Sequence, residues 1–342
     1  MRYTSVEICA GAGGQALGLE QAGFEHLAVV EIDKHAAATL RANRPEWNIQ
    51  EEDLLSWDPS PYSHRVVDLF AGGVPCPPFS KAGRQLGRED ERDLFPRALE
   101  LVDVLRPRAV MLENVRGLMD PVFGDYRDEI LKRLEDCGYR GQWRLLQASD
   151  YGVPQLRPRA ILVALQEHIA PFYKWPEKHP ECAPTVGESL GELMAEEGWP
   201  GAAEWARRAN TIAPTLVGGS KKHGGPDLGP TRARKAWANL GVNGSTLAES
   251  APSYGHEGMP RLTVRMAARI QGFPDSWSIT GKKTNAYRQV GNAFPPPVAR
   301  AVGQEISKAL MSYDAYVSSS PKVIEAAEEL SLPVAGAEMP TK

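Results

Sequence analysis

From Val6 to about Val115, short apolar runs alternate with helical patterns, and this alternation restricts the fold more than any other feature of the chain. VEICA leads through a glycine turn into GQALGLEQAG, and HLAVVEI leads into DKHAAATLRANR. VVDLFAG follows, and AVMLENV comes after a helix that ends near Leu105. Strand and helix repeated in this order fold as a parallel sheet wrapped by helices. Further strands at about 142–147 and 159–165 complete the expectation of an α/β fold with a seven-stranded, doubly wound, mostly parallel sheet. Such sheets bind ligands outside the carboxyl ends of their strands.

Two candidate ligand sites fall at those ends. In ICAGAGGQALGLEQAGF, Gly11, Gly13 and Gly14 lie between a strand and a helix, so backbone can approach a ligand beside the helix N-terminus. Glycine turns of this kind are common to doubly wound folds and do not define a ligand. Glu31, closing VVEID, adds an acid able to accept both hydroxyls of a ribose. Asp53 in EEDLL, after the presumed third strand, is placed to accept an adenine amino group. The set suits an adenosyl ligand and does not demand a pyrophosphate.

The second site is DLFAGGVPCPPFS, where Cys76 follows an apolar strand at the ligand-binding edge. Pro75, Pro77 and Pro78 restrict the backbone and fix the direction of the thiol. A typical free cysteine is a small buried hydrophobe, but this one stands in a rigid loop. The Gly-rich, charged stretch SKAGRQLGREDERDLF after it has the composition of a lid that closes over a substrate. Cys9, Cys76, Cys137 and Cys182 lie far apart with no C-x-x-C pair, against both a structural zinc and a disulfide framework. No metal is expected.

After Gln166 the texture turns to Pro, Gly, Trp and scattered charge. Residues 1–167 thus read as a catalytic and cofactor-binding domain, and 168–260 as a smaller lobe presenting loops to a partner. Trp199, Trp205 and Trp237 want burial, against a disordered insert. Helical texture at TVRMAARIQGF and PPPVARAVGQEISKALMSY returns 261–318 to the first domain, and 319–342 reads as a flexible tail. Residues 201–300 carry 14 Lys and Arg against 5 Asp and Glu, a surplus of 9 on a chain of net charge −4. A basic block on an otherwise acidic protein is the footprint of a docked phosphate backbone. No apolar run approaches the roughly 20 residues of a membrane span, and the N-terminus lacks a signal layout. A monomeric, cytoplasmic protein with no membrane partner is expected.

Taken in order, these motifs resemble the DNA cytosine-5 methyltransferase family of bacterial and phage type over nearly the whole chain, apart from the middle lobe. CAGAGG resembles its cofactor loop, PCPPFS its catalytic Cys loop and LENVRGL its acid-bearing strand end. QLRPR resembles its Gln-x-Arg-x-Arg element and VGNAFPPPVA its closing cofactor element. The resemblance implies a Rossmann-like, class I methyltransferase fold, S-adenosylmethionine as cofactor and a loop-rich target-recognition domain at 168–260. The implied substrate is cytosine in double-stranded DNA at a specific short sequence, with a cognate restriction endonuclease as a further partner of such a system.

Carbon 5 of cytosine is a poor nucleophile, so the ring must first be activated by a thiolate adding at carbon 6. The resemblance gives that role to Cys76. It gives Glu113 the stabilisation of N3 and the exocyclic amine, and Arg157 and Arg159 the base carbonyl or a flanking phosphate. Gln155 would brace the loop. The target base must leave the stack at a cost of about a few kcal/mol. Cofactor contacts are implied for Cys9, Ala10, Gly11, Gly13, Gly14, Glu31, Ile32, Asp53, Leu54, Pro75 and Leu94, and for Asn292 and Ala293 near the methionine end. DNA contacts are expected from Ser80, Arg84 and Gln155, and from Lys221, Lys222, Arg232, Arg234 and Lys235 within Thr211–Gly244.

The chain departs from the family pattern at four places. Cys9 stands where a Phe often packs on the adenine, Glu7 where Asp is usual, Pro77 where Gln is common, and Met266 where Glu is common. These touch cofactor affinity and leave the reacting groups intact. Three alternatives compete: a transfer-RNA cytosine-5 methyltransferase, a noncatalytic DNA-binding relative and a small-molecule methyltransferase. The basic, loop-rich lobe counts against the first and third, and the full set of Cys76, Glu113, Arg157 and Arg159 against the second.

Overall fold

The computed structural model describes residues 2–75, 93–219 and 225–319. Seven strands form one sheet: β1 (Tyr3–Ile8), β2 (Phe24–Val30), β3 (Ile49–Gln50), β4 (Leu69–Gly73), β5 (Ala109–Val115), β6 (Tyr139–Gln147) and β7 (Pro158–Gln166), in the order β3-β2-β1-β4-β5-β7-β6. The pairings among β1 to β5 are parallel, while β7 runs antiparallel to both β5 and β6. The α/β class and the seven strands are as expected. β7 is the exception within a mostly parallel sheet, and it matters for the site: reversing it brings its first residues to the carboxyl end of β5.

The helices are α1 (Gly14–Gln21), α2 (Lys34–Asn43), α3 (Phe95–Leu105), α4 (Gly124–Asp136), α5 (Val186–Ala195), α6 (Ala202–Arg208), α7 (Thr231–Asn239), α8 (Val264–Ile270), α9 (Lys283–Asn292) and α10 (Pro296–Ser319). β1, β4 and β5 are buried along nearly their whole length because helices cover both faces. α1 is buried all round from Gly14 to Leu19, squeezed between the sheet and α10. Close approach there requires glycine: a Cβ on Gly14 would sit 2.1 Å from the Phe294 carbonyl oxygen, and one on Gly18 2.4 Å from that of Pro296. The C-terminal helix thereby seals the first βα unit. Its far end is tied to the opposite edge of the sheet, where Arg108 pairs with Asp68 at 3.0 Å and with Asp314.

The segment after β7 holds α5, α6 and α7 joined by irregular chain. Trp205 and Trp237 are fully buried in it and Trp199 partly so. Their apolar cluster, with Leu190, Leu228 and Val242, runs without a break into Met266 of α8, Tyr287 and Val290 of α9, and Leu17 and Leu40 beyond. The basic segment is therefore seated on a continuous core. Among the described residues no helix is long and apolar enough to cross a membrane.

Candidate active site and cofactor cavity

The chain passes from β1 to β2 and β3 on one side, then returns to β4 on the other, so the strand order reverses between β1 and β4. Crevices form at such a reversal. Here a cavity of about 200 Å³ opens beyond the strand ends. Cys9, Ala10, Gly11 and Gln15 line it from the first turn, Glu31, Asp33 and Ala36 from the β2–α2 junction, and Gly73 and Glu113 from the ends of β4 and β5. Arg288, Gln289, Asn292, Ala293 and Phe294 close it from α9 and the turn after it.

Glu31 organises one wall. Its Oε2 accepts the Gly11 N–H at 2.7 Å and its Oε1 the Asp33 N–H at 2.6 Å, so one carboxylate ties the glycine turn to the start of α2. These bonds end β2 at Val30, two residues before the apolar run HLAVVEI does. The carboxylate lines the cavity, where it can accept from a ligand hydroxyl. Cys9 and Gly11 both have positive φ, 51° and 55°, which curls the turn around the cavity. Burial, then Glu31, Asp53 and Glu7, pushes the Cys9 thiol well above its usual range, so it is an apolar wall and not a nucleophile.

Cys9, Ala10, Gly11, Glu31, Asn292 and Ala293 are thus gathered around one cavity. Gly13, Gly14, Ile32, Asp53, Leu54, Pro75 and Leu94 are not in its lining. Gly13 has φ 83° and packs with Gly14 against Trp277 and Phe294, so the missing Cβ at both serves packing. Ile32 is 60% exposed, and Asp53 is exposed with its carboxylate turned to the Leu55 N–H. Leu54 is buried in the apolar cluster against which Leu94 and Cys9 pack, and Pro75 is exposed. Gln15, Asp33, Arg288, Gln289 and Phe294 line the cavity without having been singled out in the sequence. Arg288 and Gln289 lie just before GNAFPPP on the helical face that carries Asn292, and the local sequence does not mark them out.

Glu113 stands at the cavity wall near the carboxyl end of β5 and is buried. In the β5–β7 register Val115 faces Arg159, and Arg159 Nε lies 2.8 Å from Glu113 Oε1. Burial raises the Glu113 carboxyl above its usual range, with Arg159 and then Arg157 pulling it back. Burial thus favours the protonated carboxyl, the form that can donate a hydrogen bond. Gly73 sits opposite Glu113 on β4, and a Cβ there would come within 3.3 Å of Glu113 Oε2. Beside it, Asn114 Nδ2 donates to the Val74 carbonyl at 2.8 Å, fixing the chain two residues before Cys76. Cys76, Ser80, Arg84, Lys221 and Lys222 lie outside the described residues.

Arg157 differs from its expected role. Only 1% exposed, it donates to the carbonyls of Leu216 (2.8 Å), Gly291 (2.8 Å) and Ala293 (3.0 Å), clasping the segment before residue 220 to the end of α9. A guanidinium committed to three backbone oxygens is structural, not a hand on a base or phosphate. Gln155 is fully buried too: its Nε2 donates to Gln271 Oε1 at 2.7 Å and its Oε1 accepts the Leu216 N–H at 2.8 Å. It braces the loop and presents no edge to DNA. Arg232, Arg234 and Lys235 are exposed on α7.

The model for the C-5 cytosine-specific DNA methylase family matches residues 3–308. The chain is 60% identical over 311 residues to the type II methyltransferase M.NaeI of Lentzea aerocolonigenes, covering 89% of this chain and 75% of that one. It is 55% identical over 313 residues to the type II methyltransferase M.NgoMIV of Neisseria gonorrhoeae, covering 91% and 99%. Among solved structures, the fold is shared with a DNMT2 mutant of Spodoptera frugiperda at TM-score 0.62 and 17% identity, covering 90% of this chain and 99% of that one.

Proposed function

The chain belongs to the C-5 cytosine-specific DNA methylase family, and on that premise we propose that it methylates cytosine C5 within a short specific sequence of double-stranded DNA. Cys76 acts as a transient covalent nucleophile and Glu113 as the acid that steadies the activated ring. One observation carries the assignment of roles. Glu113 is buried at the cavity wall, and its neighbour Asn114 tethers the chain that leads into Cys76.

The residues present suit S-adenosylmethionine. The Glu31 carboxylate at the cavity wall is an acceptor suited to ribose hydroxyls, and the acids Glu31 and Asp33 around the cavity favour a ligand carrying positive charge. When bound there, the cofactor supplies an electrophilic methyl group. The chain's own residues do the rest. The Cys76 thiolate adds to C6 of the extruded cytosine, pushing electrons toward C5 and N3. Glu113 donates its proton toward N3 and so makes C5 nucleophilic. Arg159 orients the Glu113 carboxyl. After C5 is alkylated its proton leaves to base, the electrons of that C–H bond reform the C5–C6 double bond and expel the Cys76 thiolate, and the proton shared with N3 returns to Glu113.

Residues 168–260 serve as the target-recognition lobe, with Arg232, Arg234 and Lys235 of α7 on its exposed surface. A partner endonuclease reading the same sequence is the restriction half of such a system. The test incubates the protein with labelled S-adenosylmethionine and mixed-sequence DNA, then maps methylated cytosines base by base. Methylation confined to one short sequence, absent from Cys76→Ala, is the expected outcome. A 5-fluorocytosine at that position should trap a covalent complex, because the proton that must leave is missing. Normal turnover by Cys76→Ala would overturn the nucleophile.

A further inference from the structure

We propose that Arg288 anchors the α-carboxylate of the cofactor's methionine moiety, an inference that rests on the cofactor reading above. S-adenosylmethionine carries two cationic groups, the sulfonium and the ammonium, and one anion. The cavity's acids serve the cations. Its anion needs a donor, and among the described lining residues Arg288 is the cation.

Hydrogen-bond accounting favours the same side chain. The lining amides each have a donor already committed: Gln15 Nε2 to the Met111 carbonyl at 3.5 Å, Gln289 Nε2 to that of Thr280 at 2.9 Å, and Asn292 Nδ2 to that of Gly219 at 3.1 Å. Gln289 Oε1 is also occupied, accepting from Thr39 Oγ1 at 2.7 Å. Arg288 has five N–H donors in a planar fork that fits a carboxylate. Among the described residues its side-chain partners are Asn285, whose Oδ1 accepts from Nη2 at 3.0 Å, and Asp33, whose Oδ2 lies a long 4.0 Å away. The side chain is 19% exposed, so a charge-assisted bond there is only partly screened by water. Arg288 also lies one helical turn before Asn292 on the same face of α9, which places it on the wall that holds the closing cofactor element.

Equilibrium binding by calorimetry, without DNA, separates this from the cofactor reading. The ligands are S-adenosylhomocysteine and its decarboxylated counterpart, 5′-S-(3-aminopropyl)-5′-thioadenosine. The wild type should prefer the carboxylate-bearing ligand by about 10- to 100-fold, the range for a charge-assisted hydrogen bond. In Arg288→Gln that preference should collapse to within about threefold, while affinity for the decarboxylated ligand stays near wild type. An unchanged preference in Arg288→Gln overturns the inference and leaves the cofactor reading standing. A wild type that binds neither ligand overturns the cofactor reading, and this inference with it. Should Arg288→Gln fail to fold, a wild-type crystal structure with S-adenosylhomocysteine decides. A guanidinium within hydrogen-bond distance of the carboxylate supports the anchor, and one turned elsewhere overturns it.

Discussion

Arg159 Nε lies 2.8 Å from Glu113 Oε1, and both side chains are 11% exposed, so the carboxyl assigned to activate the cytosine ring is held by a buried cation from the one strand that runs against the sheet. Burial and Arg159 act on Glu113 in opposite directions, and burial prevails. The reaction needs the protonated acid, so kcat should fall as pH rises through the raised pKa of Glu113. Arg159→Leu removes the principal group that lowers this pKa. The alkaline limb of its pH–rate profile should therefore move to higher pH, on a reduced maximal rate. Glu113→Gln should lose about 10²- to 10⁴-fold in kcat. A limb that stays in place in Arg159→Leu would show that the pair does not set it.

Asn114 links β5 to the chain that leaves β4 through the Val74 carbonyl. Asn114→Ala leaves that buried oxygen without its donor, at a cost of about 1–3 kcal/mol in stability. The larger effect should be kinetic. We expect kcat to drop by about tenfold or more, with the Kd for S-adenosylhomocysteine within about twofold of wild type, because Asn114 does not line the cavity. Equal losses in cofactor affinity and kcat would mean that the residue supports the whole site and not the loop alone.

Much of this arrangement was legible in the chain because the central parallel strands β2, β4 and β5 are largely apolar runs with buried neighbours. AVMLENV is β5 residue for residue, and the helix before it ends at Leu105. Local reading failed where a side chain answers to distant backbone. Arg157 and Arg159 look alike at a spacing of two. Yet Arg157 precedes the first residue of β7 and is claimed by Leu216 and Gly291, 59 and 134 positions away. Asp53 is an acid in the right stretch, but a local turn takes its carboxylate. Arg288 was silent because a charged residue on a mixed helix is usually solvated, and only the tertiary fold turns that face onto the cavity.

Gly218 and Gly291 are where the segment after β7 meets the end of α9, and neither tolerates a methyl group. A Cβ on Gly291 would stand 2.4 Å from Gly218 Cα, and one on Gly218 would stand 2.7 Å from the Arg288 carbonyl oxygen. The obstruction is backbone on both sides, so relief requires the segments to part and the Arg157 clasp to stretch. Gly291→Ala should cost about 1–3 kcal/mol in stability and weaken specific DNA binding severalfold. Denaturant midpoints and DNA titrations read the two effects. An unaltered midpoint would mean that the two segments separate freely.

Glu7 and His26 are buried on neighbouring strands, and their ionisation should push stability in opposite directions across mildly acidic pH. Burial lowers the His26 pKa to about 4, and its ring nitrogens are engaged by Ser5 Oγ at 2.8 Å and the Ala16 carbonyl at 3.0 Å. Between pH 4 and about 6.5, the ordinary histidine value, the unfolded chain binds the extra proton. Stability from this group therefore rises with pH and is lost on acidification. Burial pushes Glu7, fully inaccessible on β1, well above the usual carboxylate range. Its folded form keeps the proton that the unfolded chain gives up above about pH 4.3, so its contribution falls as pH rises. The two contributions therefore slope in opposite directions with pH. Relative to wild type, Glu7→Gln should make stability rise more steeply with pH between pH 4 and about 6.5, and His26→Gln should shift the slope the other way. Urea midpoints at pH 5 and pH 6 are sufficient, and slope changes of the same sign in both variants would refute the opposition.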